Sequence, residues 1–240
     1  GSALGTKYGL WGWQLGLSAF GLGGLILIGL TALIAIVSIV LILRSGSKLG
    51  IGSAGFALAV PALFLTMFAP TLGGAGDHPI HDVSTDTANP PMFTAETLAE
   101  RAQSGANAIN PYDVALGKTE LFASMEPPVS EMTTAQVVAE KYPELEPLGL
   151  SETPVDAAVN ALQLAMADMG FSGIRYAAES RTVEGLAETF WFGFKDDVVA
   201  RVSETQIDFR SVSRVGQSDV GANAKRIMEL RARTAERLGL

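Results

Sequence analysis

The chain has no cysteine, so it carries no disulfide framework, no thiolate nucleophile and no cysteine-ligated metal. Histidine occurs only at His78 and His81, and no Ser–His–Asp order with a recognisable context accompanies them. Gly73–Gly76 opens no helix, and no Walker, haem or nucleotide signature is present, so acyl and phosphoryl transfer have nothing to stand on. Acidic residues are missing from the first 76 positions. Only three of the 17 basic residues, Lys7, Arg44 and Lys48, lie in that stretch. The region from Asp77 onward therefore sets all 25 acidic residues against 14 basic ones. Such a balance argues against nucleic acid, which requires a basic face, and against charge-driven docking on anionic lipid.

What the first 76 residues do contain is apolar. The chain is 48% hydrophobic, with a mean hydropathy of +0.29. No charged residue lies between Tyr8 and Leu43, and a second charge-free run covers Ile51–Leu72. A bilayer core about 30 Å thick needs about 20 helical residues, so the sequence predicts two transmembrane helices, at about 17–43 and 51–72, as a membrane anchor over 1–76. Pro61 predicts a kink in the second. Tyr8, Trp11 and Trp13 suit a membrane–water interface. The basic hinge Arg44–Lys48 is expected to face the cytoplasm. That orientation places the acidic domain in the periplasm, anchored in a bacterial inner membrane.

Residues 77–150 read as an extended, proline-rich strap, with Pro111, Pro127, Pro128, Pro143 and Pro147 breaking any long periodicity. Phe93, Tyr112, Phe122, Tyr142 and Leu148 are candidate anchors onto a core, and Thr133–Lys141 is the best helical candidate. His78, His81 and Asp82 offer two imidazoles and a carboxylate, a set that zinc accepts. Pro79 interrupts the motif, so the expectation here is hydrogen bonding that ties the strap down, with no metal and no cofactor.

Residues 151–240 form the predicted core. Thr153–Pro154–Val155–Asp156 reads as a helix start with Thr153 as N-cap. Val155, Val159, Leu162, Met166 and Met169 then give one apolar face. Strands are predicted at 171–177, 182–192, 197–203 and 206–215, joined by short polar turns and so antiparallel. A last helix, with Ser218 as cap and Asp219 in its first turn, presents Val220, Ile227, Leu230, Thr234 and Leu238. The predicted fold class is α+β: two transmembrane helices, then a four-stranded antiparallel sheet packed against helices.

Polar residues concentrate in the second half of this core. Asp196 and Asp197 are adjacent, so on a strand they point to opposite faces and make a poor acid–base pair. Asp208, Arg210 and Arg214 share a face, and Arg201 lies on the strand before, across the Glu204–Thr205 turn. A cross-strand Asp/Arg ladder is the economical account. Trp191 and Phe192, with Phe190 and Phe194, are candidates for lining a cleft. The candidate ligand or partner residues are thus Trp191, Phe192, Asp196, Asp197, Arg201, Asp208, Arg210, Arg214, Asp219 and Asn223; no residue is assigned a catalytic role.

Three stretches carry a family resemblance: Phe190–Val199, Asp208–Gly216 and Ser218–Ile227. With the upstream Ile80–Pro91 they resemble, in order, the uncharacterised family known as domain of unknown function 1499. The resemblance implies a bacterial envelope protein with membrane helices before the domain, and it brings no established catalytic residues. The expected function is a non-enzymatic, membrane-anchored periplasmic protein, a protein-binding or accessory subunit of a membrane complex. Its expected partners are membrane lipids and other membrane or periplasmic proteins, not nucleic acid. The alternatives are a module for lipid or a small hydrophobic ligand and, behind that, an enzyme of unknown type.

Overall fold

The structure is a computed structural model that describes residues 1–45, 79–240 and scattered positions between 52 and 66. It divides into two compact units. The first comprises residues 1–73 with 190–193, and the second residues 74–189 with 194–240.

In the first unit a short helix α1, Ser2–Lys7, precedes α2, Trp13–Ser45. The corner between them closes because Gly5 has no side chain. A Cβ there would come within 2.0 Å of the Trp11 ring, whose Nε1 donates to the Ser2 carbonyl at 3.0 Å. At 1.5 Å per residue, α2 is about 50 Å long, more than a bilayer core requires. Its leucines, isoleucines and valines are largely exposed, so it forms no soluble core. Among the described residues α2 is the one helix long and apolar enough to cross a membrane. The second predicted span, 51–72, and the hinge beyond Ser45 lie outside the described residues, apart from the scattered positions.

The second unit is an α+β domain. In chain order its elements are β1 (Asp82–Ser84), α3 (Ala95–Gln103), α4 (Thr134–Lys141), β2 (Leu148–Gly149), α5 (Val155–Asp168), β3 (Ser172–Ala177), β4 (Thr182–Glu188), β5 (Lys195–Val202), β6 (Gln206–Ser213) and α6 (Ala222–Leu238). The sheet runs β1-β6-β5-β4-β3, antiparallel throughout, and β2 also pairs with β6. The predicted four-stranded meander is therefore the body of a six-stranded sheet. Both added strands come from the proline-rich strap and lie on β6. They are three and two residues long, too short to show a two-residue alternation in sequence.

One sheet face carries the apolar core. Val83, Val183, Val198, Ala200, Val202, Ile207 and Phe209 cluster with Leu162 and Met166 of α5 and Ile227 and Leu230 of α6. The strap anchors Tyr112, Phe122, Tyr142, Leu148 and Phe93 are all buried.

Helix ends and strand ends differ from the sequence reading in three places. Pro154, not Thr153, is the N-cap of α5 and gives no side-chain bond; the Thr153 amide is already committed to the Leu150 carbonyl at 2.8 Å. At α6 the N-cap is Gly221, at φ +80°, rather than Ser218; the Asp219 carboxylate just before it accepts from the amides of Gly221 and Asn223 at 2.8 and 2.7 Å. The third difference is in the aromatic block. It was predicted to continue β4 to residue 192, but the strand stops at Glu188. The Thr189 amide donates to the Phe194 carbonyl, and the Phe194 amide to Thr189 Oγ1, both at 2.9 Å. This closes a hairpin whose tip is Phe190–Gly193, with Gly193 at φ +67° supplying the left-handed turn residue.

Helix α4 is capped as its sequence suggests. Thr133 Oγ1 accepts from the Gln136 amide at 3.2 Å and Gln136 Oε1 from the Thr133 amide at 2.8 Å. Thr133→Ala is expected to cost about 1 kcal/mol, the usual price of a lost N-cap. The check is the urea midpoint of the detergent-solubilised chain by circular dichroism; an unchanged midpoint would show that the box contributes nothing.

Candidate functional site

The face of the sheet opposite α5 and α6 is polar, and it is buried under the strap and α3. Alternation along the strands sends Glu184 of β4, Asp197 and Arg201 of β5, and Asp208 and Arg210 of β6 to this side. Asp82 of β1 joins them because it is registered against Val212. Phe93, Val199 and Val212 form a small apolar plug within it, with Ile109 packed alongside.

Four ionic nodes fill the layer. Arg210 makes a bidentate pair with Asp82, Nε to Oδ1 at 3.0 Å and Nη2 to Oδ2 at 2.7 Å. Its Nη1 donates to the Pro91 carbonyl at 3.2 Å, its guanidinium stacks 5.0 Å from the Tyr112 ring centroid, and the Tyr112 hydroxyl donates to Asp82 Oδ1 at 2.6 Å. Asp197 takes Arg214 through both oxygens, at 2.9 and 2.6 Å, and Arg101 of α3 at 2.5 Å. Glu184 accepts from the Thr94 amide and hydroxyl, from the Thr97 hydroxyl and from Arg175 Nε. Arg201 bridges Asp208, directly opposite it in the ladder, at 3.0 Å and Asp86 of the strap at 2.9 Å.

Burial sets the titration of these groups. It would lower the Arg210 guanidinium, but the Asp82 charge and hydrogen bonds overcome it and hold the group above the ordinary arginine range. Arg101 lies below that range, because burial outweighs the Asp197 charge that opposes it. The Tyr112 hydroxyl is pushed well above its ordinary value by burial and then by the neighbouring Asp82 charge. Asp82, Asp86, Glu184, Asp197 and Asp208 each meet at least one guanidinium. The arrangement neutralises charge and fixes the strap to the sheet.

The ten candidates read from the sequence do not assemble into one site. Asp197, Arg201, Asp208, Arg210 and Arg214 belong to the polar layer. Asp196, on the opposite face as the alternation required, pairs with Arg226 of α6 at 2.6 Å. Asn223 sits near it, fully buried. Its Nδ2 donates to the His81 carbonyl at 2.8 Å and Ser213 Oγ at 2.9 Å, and its Oδ1 accepts from Ser211 Oγ at 2.6 Å. Asp219 holds the start of α6 through the Gly221 and Asn223 amides, and burial raises its carboxyl pKa against the two amide bonds that lower it. Trp191 and Phe192 lie at the hairpin tip and belong to the other unit. Arg101, Glu184 and Asp86, which complete the nodes, are not among the candidates, since no local pattern distinguishes them from ordinary surface residues; Tyr112 is read from the sequence only as a core anchor.

Among the described residues a cleft of about 640 Å³ opens between residues 87–92 and 109–113, and no residue of the aromatic block lines it. Pro90, Met92, Ile109, Pro111 and Ala135 make it largely apolar, and Arg210 and Tyr112 line it from the buried layer. Asn110 also lines a much smaller pocket beside His81. His78 lies outside the described residues, and among the described residues no three His, Asp or Glu side chains are placed to hold a metal. Asp82, the carboxylate of that weak candidate set, is the partner of Arg210.

His81 is buried, and neither ring nitrogen has a hydrogen-bond partner of normal geometry among the described residues; the Gln217 backbone contributes only a marginal one. Burial lowers its pKa below 6.5, partly opposed by Asp82. The imidazole is therefore neutral in the fold. Below pH about 6.5 the unfolded chain takes up a proton that the folded chain refuses. The His81 contribution is thus fully present above that pH and is lost as pH falls toward the folded pKa. The urea midpoint is expected to fall between pH 7 and pH 5, and His81→Leu is expected to flatten that slope. An equal slope in the variant would assign the pH dependence to other groups.

The family described as protein of unknown function, DUF1499, matches residues 82–233. The chain belongs to the DUF1499 family. Neither a curated protein nor a solved structure matches it significantly. The match runs from the first residue of β1 into α6, so the DUF1499 domain includes the whole sheet, the strap from Asp82 onward and every node of the polar layer. Helices α1 and α2 lie outside it. The strap is thus part of the DUF1499 domain and not a linker to it.

Proposed function

We propose that this DUF1499 protein is a non-enzymatic, membrane-anchored module of a larger membrane complex, with the sheet domain in the periplasm and its cleft over Arg210 and Tyr112 receiving an apolar segment of a partner protein. The observation that carries this reading is the saturation of the polar layer beneath an apolar-lined cleft. General acid–base catalysis needs a group whose proton can move at working pH, whereas these carboxylates are held by arginines. Met92 at the rim is exposed, and a flexible thioether adapts to varied apolar partners.

The test is a photo-crosslinking amino acid at Met92 in cells at native expression, with Glu229 on the outer surface of α6 as control. A discrete protein adduct from position 92 and none from 229 is the expected result. The cleft volume also lies in the range of small-ligand sites, roughly 300–1,000 Å³, which favours the second reading, a lipid or small hydrophobic ligand. Adducts to lipid or small molecules alone would replace the first reading with that one.

Orientation has its own test. Cysteines introduced singly at Ser47 and Ser180 are unique in this chain. With an impermeant thiol reagent on spheroplasts, Ser180→Cys is expected to label and Ser47→Cys to stay protected; the reverse pattern would put the sheet domain in the cytoplasm.

A further inference from the structure

The Phe190–Gly193 tip is short, uncharged and aromatic; Lys7 Nζ donates to the Phe190 carbonyl at 3.0 Å and lies 5.3 Å from its ring, and Phe192 packs edge to face on Phe20 of α2 at 5.7 Å. Phe190 is 72% exposed and Trp191 63%. Their rings pack edge to face on one another at 5.0 Å. The Thr189–Phe194 hydrogen bonds and the Gly193 turn close the loop. Two large aromatics at the end of a closed hairpin are costly to leave in water and give no packing to the domain.

The rest of the chain indicates what covers them. The tip residues 190–193 belong to the compact unit that also holds the membrane-length α2. That unit exposes a second aromatic pair at the α1–α2 corner, Tyr8 at 73% and Trp11 at 37%. Tryptophan and tyrosine collect at the headgroup level of bilayers because the ring is apolar and its edge is polar. The acidic balance of residues 77–240 argues against attraction to anionic lipid as the source of membrane contact.

We propose that the Phe190–Trp191 tip is a bilayer-interface anchor that inserts among lipid headgroups together with the Tyr8–Trp11 corner of the same compact unit. Its partner is a lipid surface of any headgroup charge.

The chain has three tryptophans, so Trp11→Phe with Trp13→Phe leaves Trp191 as the sole reporter. The full chain is reconstituted in phosphatidylcholine vesicles with and without lipid carrying a nitroxide near the headgroup. Expected are a blue-shifted emission, at least a two-fold loss of intensity with the nitroxide lipid, and little quenching by aqueous iodide. Emission typical of water, quenched by iodide and untouched by the nitroxide lipid, would overturn the proposal; with pure protein and lipid only, it would assign the tip to a protein partner or to solvent. Because Trp11 packs over Gly5, a second measurement keeps the tryptophans. Phe190→Cys is spin-labelled, and its collisions with oxygen and with a water-soluble nickel chelate are compared. Preference for oxygen supports insertion, and preference for the chelate refutes it.

Discussion

Asp82→Asn is expected to destabilise the sheet domain by about 3–5 kcal/mol, the cost of removing one partner of a buried ion pair. The substitution preserves shape and leaves an amide oxygen for Tyr112, so what it removes is the charge opposite Arg210. That guanidinium is 2% exposed, and its further acceptors include the Pro91 carbonyl and the Met92 sulfur. A cationic group so placed either stays uncompensated or opens the strap to water. Removing both charges together, Asp82→Leu with Arg210→Met, is expected to be less damaging than either single change, because an apolar pair carries no desolvation cost. Urea midpoints of the unchanged chain, Asp82→Leu, Arg210→Met and the double variant, in detergent and at pH 7, give the coupling directly, with Asp82→Asn measured alongside. An unchanged midpoint for Asp82→Asn would mean that the pair does not hold the strap.

Asp197→Asn is expected to cost a similar 3–5 kcal/mol, for a related reason. This carboxylate lies between Arg101 and Arg214, and without it two guanidiniums face one another in a buried layer. Arg101 is the more exposed to the loss, since burial already depresses it and Asp197 is the main opposing influence. The informative comparison is Asp208→Asn. Asp208 is as buried as Asp197, but Arg201 is 26% exposed and keeps Asp86 as a second partner. Solvent screening and the spare carboxylate should hold the Asp208→Asn loss to about 1 kcal/mol. Equal losses at 197 and 208 would show that the number of arginines around a carboxylate does not set its contribution. If the cleft binds as proposed, Asp208→Asn should also leave the Met92 crosslink intact in the folded fraction.

Both predictions rest on contacts that were differently visible in the sequence. The Arg201–Asp208 pair could be read from alternation and a short turn, because a hairpin fixes which residues oppose one another. Arg210 was placed on the correct face by the same rule, but its partner was not, since Asp82 is 128 positions away. The same holds for Arg101 and Asp197, 96 apart. Asp196 and Asp197 were separated by the pleat as expected. The aromatic block misled, because Phe and Trp favour strands whether or not a strand continues; what ended β4 was the Thr189–Phe194 closure, a local hydrogen-bond choice that β-propensity does not encode.

The sequence by itself determined the charge-free run that becomes α2, the α+β class, the four long strands with their faces, and the α5 and α6 core stripes. These are periodic or compositional properties, and physical chemistry acts on them locally: apolar length against bilayer thickness, alternation against a pleat, and 3.6-residue spacing against a sheet. Tertiary structure alone decided that the strap supplies β1 and β2, that its carboxylates and arginines neutralise the far face of the sheet, and that a cleft opens above Arg210. A buried charge takes whichever opposite charge the fold brings within about 3 Å. That distance depends on how the whole chain packs and leaves no pattern in neighbouring residues.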